Sequence, residues 1–218
     1  MLKLINDKVQ FSDAPELLKS PSLADYYETS DVTITFTESC SVDCIGIGNT
    51  DGVNFLLLID GLYTEEVIFS DNGLYKLSRA YNNVNTVQIT HDGTYIGRVG
   101  LGKARFIGCS KSREPGFYTT YESRITASGN TIPGAGGMSG KIISVDFRGG
   151  IDREIYQDFI DAYPTQCARS FPFFLYFNKE MGRMPYERLY ASTDTDLIFQ
   201  SSTNNFKYSR NFTYTERF

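Results

Sequence analysis

Residues 131–141, TIPGAGGMSGK, hold four glycines within seven positions and end on Lys141. Glycine-rich backbone followed by lysine is the raw material of a phosphate cradle. A triphosphate-binding loop requires Gly, four residues, Gly-Lys and then a hydroxyl residue. Here Ile142 follows Gly140-Lys141, and Ala135 stands five positions before Gly140. The dinucleotide spacing also fails: Gly134 and Gly136 match, but Ser139 takes the place of the third glycine. Both loops feed a helix, whereas the IISVDFRGG that follows Lys141 is β-prone. The stretch therefore reads as a flexible connection. Loops this long in compact domains carry function or flexibility. Gly134, Gly136, Gly137 and Met138 are expected to order against a neighbouring subunit.

Other reactive residues give no catalytic motif. Cys40 and Cys44 are separated by three residues, not the two of a zinc knuckle or redox pair. With Cys109 and Cys167 they read as free thiols, mostly buried. His91, the single histidine, precedes an Asp-Gly turn signal and is expected in solvent. The carboxylate pairs Glu65 with Glu66, Asp152 with Glu154, and Asp194 with Asp196 fit no glycosidase pattern that spacing alone could reveal. No catalytic residue, metal ligand or cofactor site is expected.

The elements that must position these residues are mostly strands. DVTITFT alternates Val32, Ile34 and Phe36 against threonines, the pattern of a half-buried strand. NTDG at 49–52 is a turn, and VNFLLLID at 53–60 is apolar on both faces, as a central sandwich strand would be. EEVIFS and YKLSRAY continue the pattern. Asp92-Gly93 lies between two β-rich runs and predicts a hairpin. Regular strand spacing without intervening helices favours an antiparallel sandwich over a parallel α/β sheet. One helix is predicted at 151–163, where Ile151, Ile155 and Phe159 share a face and Pro164 ends it.

The final strand alternates most cleanly. Phe206, Tyr208, Phe212, Tyr214 and Phe218 occupy even positions, with polar residues between them. Arg210 and Glu216 fall on the aromatic face, where a charge needs a partner. They either pair locally or contact a neighbouring subunit, and with Phe218 they complete the expected interface residues. The fold class is thus mainly β: an antiparallel jelly-roll β-sandwich plus a C-terminal α+β module with one long helix. The units are 1–127 (sandwich), 128–141 (glycine-rich connection) and 142–218 (C-terminal module).

Composition limits the partners. The 218 residues carry a net charge of −5, against general affinity for nucleic acid or an anionic membrane. No run reaches the roughly 20 apolar residues of a spanning helix. The first residues, MLKLINDKVQFSDAPELL, lack the features of a secretory signal, so synthesis in a cytoplasm is expected. Fifteen Tyr and sixteen Phe without a Trp suit a ring-rich β core, subunit interfaces, or both.

Several of these segments share a family likeness. DVTITFTESCSVDCIGIGNTDGVNFLLLIDG resembles the front half of galactose-binding-like jelly rolls in tailed-bacteriophage structural proteins. YIGRVGLGKARFIG is similar to a following strand of that group, and SREPGFYTTYESRITASGN to its polar Ser/Gly-rich segment. The predicted helix with FPFFLYFN, RLYAST and FTYTERF resembles the closing module of phage tail and baseplate proteins. The likeness runs from about residue 30 to 218. It implies a virion subunit of tail, baseplate or neck type, assembled in the host cytoplasm. Its implied partners are copies of itself in a ring and neighbouring tail, neck or fibre proteins. Binding of a host glycan is the alternative, with Tyr standing in for the Trp that often stacks on sugars.

Overall fold

The computed structural model describes residues 2–5, 24–108, 112–119, 123–125, 131–133, 139–146, 173–177, 188–193 and 211–216. Its strands are β1 (Leu2–Ile5), β2 (Asp31–Thr50), β3 (Asn54–Ile59), β4 (Tyr63–Ile68), β5 (Gly73–His91), β6 (Ile96–Gly102) and β7 (Ala104–Gly108). They continue as β8 (Ser112–Thr119), β9 (Ser123–Ile125), β10 (Thr131–Pro133), β11 (Ser139–Asp146), β12 (Phe173–Phe177), β13 (Arg188–Thr193) and β14 (Asn211–Glu216). Every pairing among them is antiparallel. The described part is mainly β, as expected, and holds no helix. The helix predicted at 151–163 lies outside the described residues.

A five-stranded sheet runs β4-β3-β5-β2-β6, and a seven-stranded sheet runs β7-β1-β12-β13-β14-β11-β8. The first is organised by a long ribbon of β2 against β5. Its register shifts between Thr35 and Cys40, between Cys40 and Val42, and between Val42 and Cys44. These shifts are breaks in the regular ladder, and across the last one the residues that face inward change. Val32, Ile34, Phe36 and Val42 enter the main core at even positions, whereas Ile45 and Ile47 enter it at odd ones. Both halves of the ribbon therefore feed one core, shared with Phe55, Leu57, Ile59, Val87 and Ile89.

The same change of face separates Cys40 from Cys44. A regular strand would put both on one side. Instead Cys40 packs at the margin of the main core, while Cys44 joins Leu74 and Phe174 in a second cluster. This cluster joins the two sheets. The Phe174 ring of β12 lies directly over Gly46, where an added Cβ would come within 2.1 Å of it. Around this seat Arg188 stacks on Tyr75 at 4.3 Å and Lys141 reaches Asp71 at 3.4 Å.

The seven-stranded sheet draws β1, β7 and β8 from before residue 127, β11 from across 142 and β12 to β14 from after it. The expected units 1–127 and 142–218 thus share one sheet. Within the expected connection 128–141, residues 131–133 form β10 against β9, and 139–141 begin β11. Thr215, on the threonine face of β14, is buried.

Two sequence expectations need correction. The hairpin predicted at Asp92-Gly93 does not form, because β2 lies between β5 and β6 and pairs with both. The hairpin turn of this sheet is Asp60-Gly61, with φ of 49° and 67° at its two central residues. Those left-handed values suit a tight β-turn, closed by the Leu62 N–H on the Ile59 carbonyl at 3.0 Å, and Leu62 completes a three-residue connection. Segment 53–60 was expected to be central and buried on both faces. Strand β3 lies next to the edge, burying Phe55, Leu57 and Ile59 but exposing Leu56.

Candidate functional site

Among the described residues, a dense polar constellation lies where the connections after β2 and β5 meet. Each contributes an Asp-Gly pair, and each aspartate holds the other's backbone. Asp51 Oδ1 accepts the N–H of Thr94 at 2.8 Å and of Tyr95 at 3.1 Å, and Oδ2 accepts the Thr94 hydroxyl at 2.7 Å. Asp92 Oδ1 accepts the N–H of Val53 at 2.7 Å and of Asn54 at 3.0 Å, and Oδ2 accepts the Asn54 amide at 2.6 Å. The glycines permit the approach. A Cβ on Gly93 would fall 2.4 Å from both Asp51 Oδ1 and the Gly52 nitrogen.

These bonds favour the charged carboxylates. The Thr94 hydroxyl, ahead of the backbone N–H groups, holds Asp51 below its ordinary value; the Asn54 and Val53 N–H groups do the same for Asp92. Both side chains are committed to holding the loops. Among the described residues no group of three or more His, Cys, Asp or Glu is placed to hold a metal ion.

His91 corrects an expectation about a reactive residue. It was expected in solvent but is 5 % exposed, at the end of β5. Its ring stacks on Phe55 with centroids 5.0 Å apart and planes 16° from parallel. Nδ1 accepts the Gly93 N–H at 3.1 Å, which places the proton of the neutral ring on Nε2. Nε2 is enclosed without a hydrogen-bond partner. With one nitrogen engaged and the other enclosed, this imidazole cannot collect a substrate proton as it stands. The alternation of β5 carries His91 inward with Val87 and Ile89, and the adjacent turn residues hid that in the sequence.

A second constellation sits on the inner side of β4. Glu65 is 7 % exposed and accepts hydrogen bonds from the Ser78 N–H at 3.1 Å, the Ser78 hydroxyl and the Tyr81 hydroxyl. Burial pushes its carboxyl up, but those bonds and the Arg79 charge outweigh it and hold the carboxyl below its ordinary value. Arg79 lies over the rings of Tyr63 and Tyr81, at 4.5 and 4.8 Å. The pair Glu65 with Glu66 is thus split by the strand: one carboxylate is buried and saturated, the other exposed. Sequence adjacency could not reveal a Ser78 and Tyr81 partnership closed by tertiary packing.

Of the expected interface residues, Gly134, Gly136, Gly137, Met138, Arg210 and Phe218 lie outside the described residues. Glu216 ends β14, its backbone paired with Ala191. Lys141, the lysine of the glycine stretch, faces Asp71. Cys40 and Cys44 are free, and burial, then the Asp60 charge, pushes the Cys40 thiol up to about 11. Cys44 donates to the Gly102 carbonyl at 3.1 Å. Cys109, Cys167 and the acidic pairs Asp152 with Glu154 and Asp194 with Asp196 are outside the described residues. No helix among the described residues is long and apolar enough to cross a membrane. No protein-family model matches the chain, and no curated protein or solved structure matches it.

Proposed function

We propose that the chain is a structural subunit of a tailed-phage particle that works by binding other proteins. One observation carries the choice of binding over catalysis: both constellations spend their charged groups on holding backbone and hydroxyl groups of the same chain. Asp51, Asp92 and Glu65 are saturated acceptors, while large apolar side chains stand in solvent on and beside β4. Such surfaces mark contact sites. The phage assignment rests on the sequence resemblance, as do copies in a ring and tail, neck or fibre neighbours; the jelly-roll topology rests on strand spacing as well, and the helix at 151–163 on its shared apolar face and Pro164. The location in the particle, after assembly in host cytoplasm, belongs to the same reading. Mass spectrometry of purified particles tests it. The chain should be present at structural stoichiometry, and its absence from mature particles would end the proposal.

A second reading, host-glycan binding, has its own observation. Tyr26 is half exposed beside Tyr95, with ring centroids 5.1 Å apart, next to the aspartate-held loops. Exposed rings at a loop end can stack on sugar faces. A glycan array with the full chain decides it: loss of a positive signal in Tyr26→Ala supports the reading, and no binding at millimolar sugar removes it.

A further inference from the structure

The edges of the two sheets are not equally protected. An open edge presents unpaired N–H and C=O groups, and proteins blunt it with proline, lysine, bulges or a covering segment. Strand β8 carries Pro115 in its middle. Strand β6 is covered at Ile96 by Tyr27, which exchanges backbone bonds of 2.8 and 3.0 Å with it. Among the described residues strand β4 has none of these. Its sequence is YTEEVI, its pairing with β3 has no register shift, and among the described residues no strand lies on its other side.

The outward backbone groups of β4 can be assigned. Phe69 donates its N–H to Val53 at 2.7 Å, in register with the β3–β4 ladder. Antiparallel geometry alternates, so odd residues of β4 bond to β3 while Thr64, Glu66 and Ile68 point their N–H and C=O away. At the ends of this edge stand Leu62, 76 % exposed, and Ile68, 71 % exposed. Glu66 is exposed and makes no ion pair among the described residues.

We infer that β4 pairs antiparallel with β4 of a second copy, continuing the five-stranded sheet across a two-fold axis. The residues select the register. Centring the axis on Glu66 would set two Glu66 carboxylates opposite each other, which is unfavourable. Centring it on Val67 would set Glu66 against Ile68. Centring it on Glu65 places Leu62 opposite Ile68 twice and Glu66 opposite Thr64 twice. The two most exposed apolar residues of this edge then cover one another, and each free carboxylate meets a hydroxyl. This register also sets two Glu65 carboxylates opposite each other, but each turns inward to hydrogen bonds from Ser78 and Tyr81 of its own chain with Arg79 alongside, compensation that two opposed Glu66 carboxylates would lack. Self-complementarity of this kind is what an isologous contact requires. The inference does not depend on the phage reading.

Sedimentation velocity of the full chain across a concentration series tests it. A reversible monomer–dimer equilibrium is expected, in the micromolar range because the ladder is short relative to a standard interface. Thr64→Pro removes an outward N–H that β3 does not use, a place where an edge strand tolerates proline. It should abolish the dimer and leave the urea midpoint nearly unchanged. Thr64→Lys should tighten the dimer by roughly two- to tenfold by setting a cation opposite Glu66; in the register centred on Glu66 it would face Ile68 and weaken it. A wild type that stays monomeric at hundreds of micromolar overturns the inference, as does an oligomer that survives Thr64→Pro.

Discussion

Gly46→Ala is the sharpest perturbation the fold offers. Gly46 lies in the β2 ladder between Leu74 and Gly100, outside the left-handed region, so alanine meets no backbone strain there. Its methyl would nevertheless fall 2.1, 2.4 and 2.6 Å from Cδ2, Cγ and Cε2 of Phe174. Restoring carbon contact near 3.5 Å moves the ring by about 1.4 Å, and Phe174 is fully buried with Cys44 and Leu74. Overpacking of this kind costs about 1–3 kcal/mol. Phe174→Ala should cost about 3–5 kcal/mol by opening a cavity. The added methyl would no longer clash in the double variant and would occupy part of that cavity. The double variant should therefore lose about 3–5 kcal/mol rather than the sum of the singles, a coupling of about 1–3 kcal/mol. Urea unfolding of the four proteins measures it. Additivity within about 0.5 kcal/mol, or a fully stable Gly46→Ala, would refute the packing of β12 on β2.

Three other outcomes follow from the polar constellations. Asp51, Asp92 and Glu65 are held below ordinary values of 3.8, 3.8 and 4.5. Their stabilisation is fully present above those values and is lost as pH falls through the lowered ones. Urea midpoints should therefore fall steeply only below about pH 4, and less steeply in Asp51→Asn/Asp92→Asn; an equal slope in that variant would contradict the clasp. Glu65→Gln should cost about 1–3 kcal/mol by leaving buried donors poorly matched, while Glu66→Gln should stay within about 0.5 kcal/mol; equal effects would remove the distinction. With Cys109 and Cys167 replaced by serine, the folded chain should resist a thiol reagent at pH 8, because Cys40 is shifted up to about 11 and Cys44 is buried. The urea-unfolded chain should consume two equivalents, one for each of these cysteines; rapid reaction of the folded form would contradict the burial.

Much of the strand content is local and therefore readable. Val32, Ile34 and Phe36 alternate with threonines because a half-buried strand has a period of two, and all three are buried. Asp-Gly pairs mark chain reversals for an equally local reason. Which Asp-Gly pair closes a hairpin is not local. Asp60-Gly61 closes one, and Asp92-Gly93 does not, because β2 occupies the place beside β5. The acceptor roles of Asp51 and Asp92 are hidden for the same reason: each partner lies some forty residues away.

The sequence by itself determined a β-rich chain whose stretch at 131–141 lacks the spacing of a phosphate-loop motif, since hydrophobic period and motif spacing are written residue by residue. Only the tertiary structure decided that His91 is enclosed, that Cys40 and Cys44 part to different clusters, and that Phe174 lies over Gly46. Those outcomes depend on where the ladder breaks and which strands become neighbours. Such choices are set by the packing of distant segments, which no local pattern contains.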